Sequence, residues 1–362
     1  MSGNCIDISQ KIAAAIFILL FTIPQTGLAN PQYPPSETRS YVPFSTNCSD
    51  EEINRIVGYL NDAAQIDFVL SSLIACGTEA VDTLLKLLDT DSTDMQFNVL
   101  RALRLIGSEA RVAIPVLERM FHNSDGDISQ KFLFTIAAIG QQEVVDILEE
   151  ALNQHPDLEV RERAASSLGD IGESAQSIII QQEVVDILEE ALNQHPNLEV
   201  RERAASSLGD IGEGAQSAVP TLKRALLHDH PKICGAVAYA LANIGPSAAE
   251  ATPNLISLLG QNGSFCPNVA SALIEIGQEA VPDLSNALKS SSPSVRRDAI
   301  YILNSMASEA EAAVPNLINA LETSLELETS LELEAIIRTL GAIGPGAELA
   351  IPELVLILQN AD

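Results

Sequence analysis

An all-α solenoid of about nine stacked helix pairs is the fold this sequence predicts, and three observations carry the prediction. A short motif ending in a small residue recurs nine times along the 362 residues. Apolar residues at helical spacing precede and follow each occurrence. Finally, the 37 residues from Gln141 to Ser177 return from Gln181 to Ser217 with two changes, Asp157 to Asn197 and Ser174 to Gly214. A closed globular core could not absorb such an insertion. An array in which each unit touches only its neighbours simply grows longer.

The motif ends at Gly77, Gly107, Gly140, Gly172, Gly212, Gly245, Gly277, Ala307 and Gly344, giving spacings of 30, 33, 32, 40, 33, 32, 30 and 37. Two of these are long, and each contains a duplication. The 40 is the period of the copied block, 141–180 and 181–220. The 37 contains ETSLELETSLEL, Glu322 to Leu333, and falls to 31 when one hexapeptide is removed.

Within one unit, Val200, Ala204, Ala205, Leu208 and Ile211 form a helical stripe that ends at Gly212. A glycine there suits the left-handed residue that closes a helix. Pro220 then falls near the start of the second helix, where a missing N–H costs little. Alanine-rich first helices permit close stacking. At the seam between the copies, Ser174 to Leu192 holds about seven more residues than the stretch after Gly212. The expectation is a second helix about two turns longer, or an apolar overhang at Ile178 to Ile180.

Apolar residues make up 46% and aromatics 4%, with no Trp, so the core must be built from Ala, Leu, Ile and Val. A net charge of −29 repels phosphate backbones and anionic lipid, which argues against nucleic acid as a partner. The amino terminus is of another kind. Lys11 precedes an unbroken apolar run from Ile12 to Ile23, then Pro24 and small residues up to Ala29. That pattern reads as a secretory signal over 1–29, with an uncleaved N-terminal anchor as the alternative. Residues 30–47, rich in Pro, Ser and Thr, read as a flexible linker. The helical array is expected over 48–362, in an exported chain, periplasmic or secreted.

The unit V-R-x-x-A-x-x-x-L-x-x-I-G followed by A-V-P-x-L-x-x-A-L resembles a HEAT repeat, in the short variety found in phycobilisome lyase-type proteins. Val-Arg stands at Val160–Arg161, Val200–Arg201 and Val295–Arg296, and Ala-Val-Pro at Ala218–Pro220, Ala280–Pro282 and Ala313–Pro315. The resemblance implies a right-handed α-solenoid and says little about activity. It supplies an alternative function, a lyase-like or chaperone-like factor for a chromophore-bearing protein, acting inside the cell. It also brings in deoxyhypusine hydroxylases, metal-dependent oxidoreductases that hold iron through His-Glu pairs. The five histidines here precede Asn123, Pro156, Pro196, Asp229 and Pro231, so that motif is absent and no metal or cofactor is expected.

Other candidate chemistry is sparse. His155, His195 and His230 each precede Pro in a loop between units, where the simplest expectation is solvated side chains. Asn123 to Ser129, NSDGDIS, alternates oxygen-bearing residues, yet its glycine lies between the two Asp, unlike an EF-hand loop. Arg161 and Arg201, with Asp157, Asp170 and Asp210 nearby, are expected to cross-link neighbouring units. Removal of Cys5 with the signal leaves Cys48, Cys76, Cys234 and Cys266, an even set that suggests disulfides in an exported chain. Cys48 and Cys76 should lie at adjacent ends of the first two helices. Cys234 and Cys266 both stand 11 residues before their marker glycine. Equivalent positions on neighbouring helices are about 8–10 Å apart, beyond ordinary disulfide reach unless the helices tilt.

The second helices carry the functional expectation. Burial of Val144, Val145, Leu148, Ala151 and Leu152 leaves Glu143, Asp146, Glu149 and Glu150 facing outward. The duplication repeats them as Glu183, Asp186, Glu189 and Glu190. Second helices of such arrays typically line the concave side. The expected function is therefore a non-catalytic scaffold presenting an acidic concave surface to another protein with a basic surface.

Overall fold

The computed structural model describes residues 48–360, apart from 91, 125, 141–143, 176, 229, 262–265, 267 and 327–329. The expected signal and linker lie outside those residues, as does Glu143. Every regular element among the described residues is helical. A single helix, α1 (Asp50–Val57), comes first. The first four pairs follow it: α2 (Ile66–Cys76) with α3 (Thr78–Leu87), α4 (Thr93–Ile106) with α5 (Ile114–His122), α6 (Gly126–Ile139) with α7 (Val145–Gln154), and α8 (Leu158–Ser174) with α9 (Ile178–Gln194). Next come α10 (Leu198–Ile211) with α11 (Val219–His228), α12 (Pro231–Ile244) with α13 (Thr252–Ser257), and α14 (Val269–Ile276) with α15 (Val281–Ala287). The last are α16 (Pro293–Met306) with α17 (Val314–Glu326) and α18 (Ser330–Ile343) with α19 (Ile351–Asn360). The described residues fold as an α-solenoid of nine helix pairs, each packed on the next around one continuous, mainly aliphatic core.

The junction inside each pair follows from its sequence. Gly107, Gly212, Gly245 and Gly344 adopt φ between +66° and +73°, which turns the chain out of the first helix. A short 3₁₀ turn then seats two buried alanines, such as Ala215 and Ala218 or Ala310 and Ala313, against the core. Ala307 occupies a marker slot with φ +50° and ψ −120°, a conformation that L side chains rarely adopt. Replacing Ala307 with Gly is expected to raise stability by about 1 kcal/mol, because relief of strain outweighs the added freedom of the unfolded chain. A thermal melt with an unchanged or lower midpoint would contradict this.

First helices approach closely through small residues. A Cβ built on Gly169 would lie 2.9 Å from Ser207 Cβ, and one on Gly209 would lie 2.8 Å from Ala240 Cα. These glycines set the distances α8–α10 and α10–α12.

The two near-identical blocks fold differently at their junctions. In the second copy Gly212 breaks the helix, and Ala218 fills the last buried slot of the turn. In the first copy that slot falls to Ile178, whose side chain is too large for it. Among the described residues of that junction there is no 3₁₀ turn; Gly172 stays helical and α8 runs on to Ser174. The extra residues join the second helix, so α9 has 17 residues where α7 has 10, about two turns more. Ile178 and Ile179 are left 84% and 77% exposed, whereas Ile180 is half-buried against the core, so the longer helix is as expected and the apolar overhang is two residues rather than three. Gln181 stitches the junction, its Nε2 donating to Gly172 O at 3.1 Å. A Cβ at 214 would meet the tip of the Gln181 side chain, Cδ at 2.6 Å, which a rotation of that glutamine relieves. The exchange of Asp157 for Asn197 is neutral by design of the site: both cap their helices, accepting from Glu159 N at 3.0 Å and Glu199 N at 2.9 Å.

Candidate functional site

Helices α7 and α9 place the acidic residues one unit apart at matching positions. Asp146, Glu150, Asp186 and Glu190 are exposed, and Glu149, Glu183 and Glu189 are half-buried. Their outward direction follows from Val145, Leu148 and Leu152, and from Val185, Leu188 and Leu192, which are buried on the opposite stripe. The strip has ends. Two residues ahead of the buried Phe121, Leu152, Leu192 and Leu226, the outward column reads Arg119, Glu150, Glu190 and Arg224. One residue earlier it reads Glu118, Glu149, Glu189 and Lys223. In the first column negative charge spans two units and is bounded by arginines, whereas in the second it runs on through Glu118 and ends at Lys223. Arg224 also donates to Asn193 Oδ1 at 3.1 Å, and Lys223 pairs with Glu250.

Duplication also sets like charges side by side on the first helices. Burial, reinforced by repulsion from Asp210 and Glu173, holds the Asp170 carboxyl above its ordinary pKa. Its copy, Asp210, faces Tyr239 instead and accepts from the phenol at 2.9 Å, which raises the tyrosine pKa.

The loop histidines are structural rather than simply solvated. The Nδ1 atoms of His155, His195 and His230 accept from the amides of Asp157, Asn197 and Lys232 at 3.1, 3.1 and 3.3 Å. His195 is buried, which lowers its pKa. His155 stacks on Phe121 and contacts Ser129 Oγ through Nε2 at 3.3 Å. This pair superficially matches a nucleophile and its base. With Nδ1 accepting an amide, however, the neutral ring carries its proton on Nε2 and donates to the serine, and Ser129 is wholly buried. The contact holds a loop and cannot abstract the hydroxyl proton. It joins residues 26 apart, so no local motif announces it.

Arg161 and Arg201 do link neighbouring units, and their described bonds run to backbone carbonyls. Arg161 donates to the carbonyls of His155 and Pro156, and Arg201 Nε to Leu192 O at 2.7 Å. Each guanidinium thus satisfies carbonyls at or just past the end of the preceding second helix, groups that the helix itself leaves unpaired. Arg296 does the same for Ser290 O and adds a two-pronged pair with the buried Glu332, at 2.6 and 3.0 Å. That pair sits in a polar cleft of about 260 Å³ beside Asn319 and Thr323.

Cysteines take over this tie in the sixth and seventh pairs. Cys234 and Cys266 occupy the same unit position as Arg161, Arg201 and Arg296. They are joined with a Cα separation of 5.2 Å, well below the spacing of packed helices. The helix-to-helix estimate fails because Cys266 is not helical: α14 begins only at Val269, behind the left-handed Asn268, whose Nδ2 donates to Gly235 O. Cys48, just before α1, is joined to Cys76 at the end of α2, with Cα atoms 5.3 Å apart.

In the 123–129 segment Asp125 lies outside the described residues. Asn123 Nδ2 and Ser124 Oγ donate to Arg119 O and Met120 O, so they close α5. Among the described residues no group of three or more His, Cys, Asp or Glu could hold a metal ion.

Known proteins match this chain in fold. Residues 115–193 and 185–266 match the family model for HEAT repeats. Among solved structures, Kap95p, in a structure concerning its binding of RanGDP, aligns at 15% identity and TM-score 0.52, over 86% of this chain and 50% of that one. Kap121p aligns at 16% identity and TM-score 0.51, over 88% of this chain and 39% of that one. Kap121p bound to Nup53p aligns at 14% and 0.50, over 86% and 38%. The chain thus spans half or less of these neighbours' length, and at such identities the likeness concerns the fold alone. A search of curated protein sequences returned no match. Together, these matches show HEAT repeats over residues 115–266, within a chain whose stacked helix pairs form an α-solenoid.

Proposed function

We propose that the chain is an exported, non-catalytic scaffold that holds a basic segment of another protein along α7 and α9. The short repeat variety, of the phycobilisome lyase-like type, is part of this reading, and nucleic acid is not the partner. One observation carries it: Asp146, Glu149 and Glu150 recur as Asp186, Glu189 and Glu190 one unit further along a continuous helical stack. Fixed carboxylates in two registers give a basic helix or tail repeated contacts, without rearrangement of the scaffold. Such contacts accelerate encounter and fall off with salt.

The test is capture of a lysine-rich helical peptide at low ionic strength, before and after charge reversal of Glu183, Asp186, Glu189 and Glu190 to Lys. Binding should drop by at least tenfold with helicity unchanged, and should fade in the parent as salt is raised. Equal capture by the two proteins would remove the acidic strip from the mechanism.

A further inference from the structure

The last pair exposes the surface that the pairs before it bury. Seven residues before the marker position stand Leu70, Leu100, Leu133, Ala165, Ala205, Ala238 and Ile300, all buried, and Ala270, half-buried, but Ile337 in α18 is 38% exposed. At the start of the second helix, Val81, Ile114, Val219, Val281 and Val314 are buried, while Ile351 in α19 is 57% exposed. Gly341 holds the position of Gly169 and Gly209, which admit the next first helix, and has nothing within 4 Å of its Cβ direction. Val355 and Leu356 are exposed too, in the columns that carry Lys223 and Arg224 in the fifth pair. This is a stacking face with its docking glycine in place, and no described element covers it.

The opposite end of the described solenoid is finished differently. There α1 turns Asp50, Glu51, Asn54 and Arg55 outward, and α2 adds Asp67 and Ser71 around Phe68. A polar end of this kind is how repeat arrays stay soluble, and it offers the apolar face no matching surface. Within the described chain, the face that best complements the apolar end is another copy of that end. Charge permits the approach: from Leu331 to Ile357 the ionisable residues are Glu332, Glu334, Arg338, Glu348 and Glu353, a net of −3 in a chain of −29, and Glu332 and Glu334 are taken up by Arg296 and Arg338. The same stretch is also apolar enough to cross a membrane, but Gly344, at φ +73°, folds it into two helices rather than one span.

We propose that two copies of this chain associate tail to tail, through a two-fold interface made by the exposed faces of α18 and α19. Each copy would cover Ile337, Gly341 and Ile351 of the other, and the isologous contact closes at two subunits.

Sedimentation of the full chain between roughly 1 and 100 µM tests this. A concentration-dependent rise to twice the chain mass is expected, and it should stop there. The double variant Ile337→Glu, Ile351→Glu should remain monomeric with unchanged helicity, as both positions are already exposed; Val355→Lys should weaken association at least tenfold. A monomer throughout would overturn the proposal. So would association that survives both variants, growth past two subunits, or binding of the unmodified chain to phosphatidylcholine vesicles in place of pairing.

Discussion

Excising residues 141–180 should leave a folded, cooperatively melting solenoid with a midpoint within a few degrees of the parent. The reason lies in the repeat geometry. Once Gln181 follows Gly140 directly, α6 feeds into a second helix of ordinary length, and the core contacts of Val184, Val185, Leu188 and Leu192 are those already made by Val144, Val145, Leu148 and Leu152. In a one-dimensional array, stability sums over units and nearest-neighbour interfaces, so removing one interior unit subtracts one term of each and leaves the others intact. The excision also removes the exposed Ile178 and Ile179 and the repulsion between Asp170 and Asp210. Excision of residues 161–180 gives the opposite result. It fuses the start of α8 to α9, deletes one helix from the alternation and reverses the direction of everything that follows. That variant should lose cooperative unfolding altogether. Circular dichroism melts of the two deletions decide the matter: a 40-residue deletion that collapses, or a 20-residue deletion that behaves normally, would mean that the units are not interchangeable.

The second large effect is a reversal of sign between two glycines. Alanine is about 1 kcal/mol better than glycine inside a helix, so the exchange should stabilise wherever space is free. At Gly341 nothing within the single chain lies within 4 Å, and Gly341→Ala should raise the stability of the monomer, measured at low concentration, by up to about 1 kcal/mol. At Gly209 the new methyl would lie 2.8 Å from the backbone of Ala240 and 3.0 Å from the Tyr239 ring. Neither neighbour is a flexible tip, so α10 and α12 must separate along their length. Gly209→Ala should therefore cost about 1–3 kcal/mol, the range for overpacking a filled interface, despite the better helix former. Chemical denaturation of both variants measures the difference directly. Stabilisation at Gly209 would show that α10 and α12 are not in contact as described.

The unit plan was legible from the amino acids because it depends on local rules. Helical spacing of Val200, Ala204, Leu208 and Ile211, a glycine where φ must be positive, and proline where an N–H is not needed are each decided within a few residues. Repetition at a fixed period then dictates stacking, since no unit can bury its own apolar face alone. The outward direction of Asp146, Glu149 and Glu150 followed from the same periodicity.

What escaped the sequence depends on neighbours. Identical words, LEVRERAASSLGDIGE, give a broken helix before Ala218 and an unbroken one before Ile178, because a buried slot one turn downstream admits the smaller side chain and excludes the larger. Arg161 and Arg201 sit near several aspartates in sequence, yet they bind carbonyls, since helix ends present unpaired acceptors at the distance a guanidinium reaches. Cys234 meets Cys266 only because the chain before α14 leaves the helical path that equivalent positions would otherwise share. Local preference and period determined the units and their order; which side chain fills which gap, and where the acidic strip stops, were decided by the packing of one unit against the next.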